Sequence, residues 1–265
     1  MVTRKVLKER AKSTLKTNYG KSVGSFSIAA IIVLTVFGLS LGMSVAPVFI
    51  SIMSNILVSH LLTIFLVSFV LMAGVAVIIS ASFATGISKY HLNLSENGKA
   101  SIGDIFWGYR TNPDHTIMAT VKFCLIVLAY AIIPIATIVY IGITANSLII
   151  GNLSVTLATK GKILVTLATV PLYVLIGSIP GIIKSYHYSM MYFILAEDPD
   201  ISSREVLKKS KALMQGHHME LFKLQLSFIG WELIGILVLG IGILFIMPYV
   251  NATVTEFYKE LISEE

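Results

Sequence analysis

The 265-residue chain is 55% apolar and only 13% charged, with a mean hydropathy of +0.84, a balance that no water-soluble domain can place on its surface. Its formal charge of +6 lies beside the apolar runs and is not interleaved with exposed aromatics, which excludes a nucleic-acid surface and fits contact with anionic headgroups. A helix crossing about 30 Å of hydrocarbon needs roughly 20 apolar residues, and several runs here reach that length, so the expected fold is an all-α polytopic transmembrane helix bundle and not a barrel of short alternating strands.

The first element, within residues 1–22, is a basic amphipathic helix. Val6, Leu7, Ala11, Leu15, Asn18 and Tyr19 share one face, and Arg4, Lys5, Lys8, Lys12 and Lys16 share the other. The pattern predicts an interfacial helix on an anionic leaflet, with Lys5, Lys8, Lys12 and Lys16 touching lipid headgroups. A solvated basic tail that follows only the positive-inside bias is the alternative.

Spans are predicted over Phe26–Ile50 and Ile56–Phe83, joined by the uncharged "SIMSN" on the outer side. Ser44-Val45-Ala46 resembles a signal-peptidase site, but the apolar run is too long and Pro47 would follow the cut, so the first span is read as retained. Gly38 with Gly42, and the Ala73, Gly74, Ala76 and Ala81 group, suit close helix packing, although glycine is frequent in membrane helices generally. Residues 88–115 carry Lys89, Lys99 and Arg110 with Asn-Gly and Asn-Pro turn signals, and are expected as a cytoplasmic connection.

A third span runs from Ile117 into the 140s past Pro134, and includes the lone Cys124, which permits no intramolecular disulfide. The loop around 151–162 is assigned outside, against the bias set by Lys160 and Lys162. Residues 163–196 would be about 50 Å long as one helix, more than the bilayer core, so this segment either breaks at Pro180-Gly181 or kinks there and continues beyond the membrane. The kink is preferred. Lys184 then falls near the cytoplasmic interface and snorkels, with Tyr186 and Tyr188 as interfacial aromatics and His187 as a satisfied histidine at the span's end.

Residues 197–219 form a cytoplasmic amphipathic segment. Ser202 with Glu205 makes a capping box, Val206, Leu207, Ser210, Leu213 and Met214 share a face, and Gly216 ends the helix. Arg204, Lys208, Lys209 and Lys211 decorate the rest, the last three are expected at headgroups, and the helix lies against either the membrane or the bundle. A fifth span covers Leu221–Leu239. If the chain turns at Gly240-Ile241-Gly242, a sixth span follows and the C-terminus is cytoplasmic; if it runs straight through, there are five. Six is preferred, within one integral membrane domain covering residues 1–265.

Glu232 falls near the midplane of that fifth span, where an ionised group costs about 3 kcal/mol or more. It is either a proton or cation site or a neutral, hydrogen-bonded side chain, and Lys184 is its candidate partner. His217, His218 and Glu220 read as a polar helix-end cluster, since a metal site needs further ligands. No nucleophile elbow, HExxH or phosphate loop is present, so neither catalysis nor a cofactor is expected.

The run "IPGIIKSYHYSMMYFILAEDPDIS", followed by "KKSKALMQGHHMELFKLQLSFIGWELIGILVLGIGILFIMPYVNATVTEFYKEL", resembles the bacterial integral-membrane family catalogued as domain of unknown function 975, found mainly in Gram-positive bacteria. The opening "LKERAKSTLKTNYGKSV" is similar to the family's start, the match is weak from about residue 26 to 160, and Glu232 departs from the apolar residue expected after Trp231. The resemblance implies a helical membrane bundle and supplies no reaction or ligand.

The resulting expectation is a non-enzymatic, multi-pass protein of the bacterial cytoplasmic membrane, with its N-terminus cytoplasmic, serving interaction or envelope maintenance. Its partners would be anionic lipid and a membrane protein or a second copy. The alternatives are a small transporter with Glu232 and the Pro180-Gly181 kink in its pathway, or an immunity protein against a membrane-active peptide.

Overall fold

A computed structural model describes residues 2–53, 58–150, 176–238 and 240–264, and among these every regular element is helical. The loop at 151–162, the start of the fourth segment, and the side chains of His60 and Pro134 lie outside what is described.

Helix α1 spans Arg4–Leu15, and after a short turn α2 runs over Tyr19–Met53. Helix α3 covers Val58–Asn97 and returns antiparallel to α2, as the buried contact between the hydroxyls of Ser22 and Tyr90 at 3.2 Å shows. At 1.5 Å per residue the two are about 50 and 60 Å long, well beyond the hydrocarbon thickness. Residues 88–97, expected within a connection, instead continue α3. Tyr90, Leu92 and Leu94 are all buried, and that side-chain burial holds the polar extension helical.

A 3-10 turn at Ile102–Phe106 is capped by Ser101 with Asp104 and leads into the short α4, Trp107–Arg110. The turn can lie on α3 because Gly86 has no side chain, a Cβ there standing 1.9 Å from the carbonyl oxygen of Ile105. Helix α5 is continuous over Pro113–Ile150. Helix α6, residues 176–187, passes through Pro180 and Gly181, and the interruption before α7, Met191–Glu197, is a turn at 188–190.

Helix α8 spans Ser203–Leu213, capped by the Ser202 hydroxyl, and the chain leaves it through Gly216 at φ +88°. The predicted fifth span is two helices of nine residues each: α9, His218–Leu226, and α10, Ile229–Leu237, separated by Ser227 and Phe228. Beyond them the chain turns at Gly240, φ +76°, a left-handed conformation that only glycine adopts without strain. Helix α11, Ile241–Ser263, then folds back along α10. A Cβ on Gly242 would lie 2.6 Å from the Cα of Gly235, so the two backbones touch at this crossing. The straight continuation behind the five-span parse is therefore not what the chain adopts.

Among the described residues, three helical stretches are long and apolar enough to cross a membrane: Tyr19–Met43, Val67–Asn97 and Ile241–Ser263. The protein is accordingly an all-helical membrane protein. Its buried core is concentrated at one end, where Leu7, Leu92, Ala119, Met191, Ile194, Val206, Leu213, Leu224, Phe257 and Tyr258 form one cluster. This hub joins α1, the end of α3, the start of α5, α7, α8, α9 and the last turns of α11. Outside it the helices turn large apolar side chains outward, among them Leu34, Leu39, Val70, Leu71, Leu125, Leu128 and Leu237. Such surface is stable in hydrocarbon and not in water.

The hub also corrects the reading of α1 as a helix lying on lipid and, of the two supports open to α8, membrane or bundle, selects the bundle. Leu7, Ala11 and Leu15 of α1 are each 3% exposed or less, covered by α11 and α3. Val206, Leu207, Ser210, Leu213 and Met214 of α8 are buried against α5 and α7. The amphipathy is real, but the apolar faces meet protein. Neither helix lays its apolar face on lipid.

Gly38 and Gly42 face open space within 4 Å of where a Cβ would stand, so their GxxxG pattern packs no described helix of this chain. In α3, by contrast, Ala76 and Ala81 are buried.

Candidate functional site

The hub is held together by polar bonds between segments far apart in sequence. The Arg10 guanidinium lies 3.1 Å from Glu260 Oε2, and the Val2 N–H donates to Glu260 Oε1 at 3.3 Å. Ser95 donates to Glu256 Oε1 at 2.5 Å, the Lys259 ammonium donates to Ser95 Oγ at 2.8 Å, and Tyr258 donates to Glu197 Oε2 at 2.7 Å. The N-terminal helix, the end of α3, α7 and the C-terminal helix thus meet at one level.

The outer rim carries clustered cations. Lys5 and Lys12 of α1, Lys16 at its end, and Lys208, Lys209 and Lys211 of α8 are all exposed, beside the exposed acids Glu9 and Glu205. Lys8 differs from the expectation of a headgroup contact. It is half-buried, its ammonium donates to the Ser227 carbonyl at 3.4 Å and lies 3.9 Å from the centroid of the Phe228 ring. Burial, reinforced by the neighbouring Arg4, pushes its pKa below the usual lysine value.

Beside Lys8 a groove of about 750 Å³ opens between α1, α10 and α11. Glu9, Lys12, Ser13 and Lys16 form its polar edge, while Phe228, Trp231, Phe245 and Tyr249 form its aromatic wall. Phe228 and Tyr249 meet edge to face at 5.4 Å, Tyr249 donates to the Lys8 carbonyl at 3.4 Å, and Tyr19 donates to the Phe245 carbonyl at 2.7 Å. A cationic edge over an aromatic wall that is itself continuous with the apolar exterior suits an amphiphile at the membrane surface.

Glu232 sits half-buried in the first turn of α10, between the exposed Trp231 and Leu233. This helix packs mainly on α11 at the periphery, and the Glu232 carboxylate makes no hydrogen bond or ion pair with a described residue. Lys184 lies elsewhere, half-buried with its ammonium 5.7 Å from the Tyr130 ring, and no ion pair between described residues joins it to Glu232. His187 Nδ1–H donates to the Ile183 carbonyl at 2.8 Å, and its ring lies 4.1 Å from that of His218. Next to this pair, His217 Nδ1 is 2.9 Å from Glu220 Oε2. Among the described residues no group of three or more histidine, cysteine or carboxylate side chains is arranged to hold a metal.

Sequence reasoning finds the basic rim but not the aromatic wall. Phe228 and Trp231 come from α10 and its entry turn, Phe245 and Tyr249 from α11. Only the hairpin at Gly240 brings them together. Lys122 also escapes it, although a lone cation five residues past Ile117, at the start of an apolar run, is a legible signal.

No curated protein and no solved structure matches the chain. The family described as "Protein of unknown function (DUF975)" matches residues 1–265, and the chain belongs to it.

Proposed function

We propose that this family member is a non-enzymatic, multi-pass protein of the bacterial cytoplasmic membrane whose basic hub grips the anionic cytoplasmic leaflet and presents an interaction surface there for envelope maintenance. The observation that carries this reading is that both basic helices bury their apolar faces in protein while Lys5, Lys12, Lys16, Lys208, Lys209 and Lys211 stay exposed. Each such cation near an anionic surface contributes about 1 kcal/mol of attraction.

The same geometry supports both termini being cytoplasmic, since α2 and α5 lead away from the hub and α3 and α6 lead back to it. The six-span parse counts α9–α10 and α11 as two of its spans. From Ile229 to its turn at Gly240 the hairpin rises only about 15 Å, half the hydrocarbon thickness. Its tip lies five residues from Phe245, whose carbonyl is bonded to Tyr19 at the start of α2, so it reaches about 8 Å beyond that point. The lower part of α11 buries Thr253, Thr255 and Glu256 within the hub. A re-entrant hairpin dipping in from the cytoplasmic side fits these lengths.

Reconstituted bilayers with spin-labelled phosphatidylglycerol or phosphatidylcholine test the reading. The wild-type protein is expected to select the anionic label, and replacing the six exposed lysines with glutamine should bring the selectivity close to unity. Equal selection of both labels by the wild type overturns it.

A further inference from the structure

A second groove, of about 550 Å³, lies between α5 and α8, remote from the aromatic wall of the first. Lys122, Arg204, Lys208 and Lys211 surround it, and Leu125, Ile126, Tyr188 and Leu207 form its floor. Among the described residues no carboxylate lines it. Glu205 of α8 accepts from the Ser202 hydroxyl at 2.7 Å, Asp200 in the turn before α8 accepts from the Asn112 amide, and Asp114 of α5 lies two turns before Lys122.

The cations come from two elements locked together. The Lys122 ammonium donates to Ser203 Oγ at 2.6 Å, which fixes the start of α8 against α5, and Phe123 packs edge to face on Tyr188 at 6.0 Å. Arg204, Lys208 and Lys211 recur at four- and three-residue spacing, so they form one stripe along α8. From Arg204 to Lys211 that stripe covers about 10 Å of helix rise, more than a single phosphate can span. Below it, Leu125 and Leu128 of α5 are 60% and 52% exposed, which provides an apolar track leading away from the charges.

We infer that this groove binds a phospholipid carrying two phosphates, one toward Arg204 and Lys122 and one toward Lys208 and Lys211, with its acyl chains laid along the exposed face of α5. Arginine contributes a planar fork suited to phosphate oxygens, and the lysines contribute point charges. A basic pocket between membrane helices on the cytoplasmic side is the physical form that such headgroup recognition takes. The inference rests on the hub facing anionic headgroups and adds a stoichiometric, headgroup-selective site to it.

Native mass spectrometry of the detergent-solubilised full chain tests it, with diphosphatidylglycerol, phosphatidylglycerol and phosphatidylcholine as probes and inorganic pyrophosphate as competitor. The wild type should retain one diphosphatidylglycerol per chain at least tenfold better than phosphatidylglycerol. R204Q/K208Q/K211Q should abolish that preference, K5Q/K12Q/K16Q should keep it, and pyrophosphate should displace the lipid poorly because it lacks the chains. Lys122 is left intact since it also supports α8, and an unchanged melting temperature verifies the triple variant's fold. Equal retention of the two anionic lipids, an unaffected triple variant, or displacement by equimolar pyrophosphate would each overturn the site. Loss of all preference for phosphatidylglycerol over phosphatidylcholine would instead defeat the broader reading of the hub.

Discussion

The Arg10 guanidinium and the Glu260 carboxylate, 250 residues apart in sequence, lie 3.1 Å from one another and bind the first helix to the last. Arg10 is half-exposed and Glu260 is 14% exposed, so the pair is partly shielded from solvent and salt. R10E is expected to destabilise the protein by about 1 kcal/mol through like-charge contact, and R10E/E260R to recover most of it. Melting of the detergent-solubilised variants checks this; a double variant no better than R10E would mean the pair does not link the termini.

The hairpin depends on bare backbone at its crossing. A Cβ on Gly242 would stand 2.6 Å from the Gly235 Cα, whereas one on Gly230 would meet nothing within 4 Å. G242A should therefore cost about 1–3 kcal/mol by forcing α10 away from α11, while G230A should be neutral or slightly stabilising through its helix propensity. Thermal stability of the two variants gives the comparison, and similar values would remove the close crossing.

The Glu232 carboxylate has no partner among the described residues and lies on the peripheral α10. E232Q is expected to change stability by less than about 0.5 kcal/mol, as for a substitution remote from any network. A loss several times larger would show that the carboxylate is held by an interaction inside the assembly, and would favour a role within the membrane.

His218 faces the imidazoles of His187 and His217, and its Nε2 is buried without a hydrogen-bond partner among the described residues. Burial first, and then the two neighbouring histidines, lower its pKa from the usual 6.5. The unfolded chain thus takes up a proton before the folded protein does, so stability is retained above about pH 6.5 and falls as the pH drops below it. Melting at pH 7.5 and 5.5 should show a decrease for the wild type and a smaller one for H218Q. An identical decrease in both would remove His218 as a cause.

Much of this architecture is legible in local chemistry. Ser202, Glu205 and Gly216 mark the limits of α8, and the glycines at 240 and 242 mark the turn before α11, because caps and left-handed turns depend on residues adjacent in the chain. The amphipathy of α1 and α8 is equally plain. What covers an apolar face is not written within the helix itself. Leu7 and Ala11 are buried by α11, some 240 residues away, and the same stripe would serve equally on a bilayer. The break at Ser227-Phe228 leaves no local mark because no proline or glycine occupies it, nor does the helical extension through Tyr90 and Leu94, whose stability comes from tertiary burial.

Cysteine accessibility tests the central claim, that a cytoplasmic hub carries both termini and a hairpin that only dips into the bilayer. In a Cys124→Ala background, single cysteines replacing Ser13, Ser263 or Leu237 are probed with a membrane-impermeant maleimide on intact and on permeabilised cells. The account predicts that Ser13→Cys and Ser263→Cys react only after permeabilisation and that Leu237→Cys, at the hairpin tip, reacts from neither side. Labelling of Leu237→Cys on intact cells would show that the hairpin crosses, and labelling of Ser263→Cys there would place the C-terminus outside and contradict the hub.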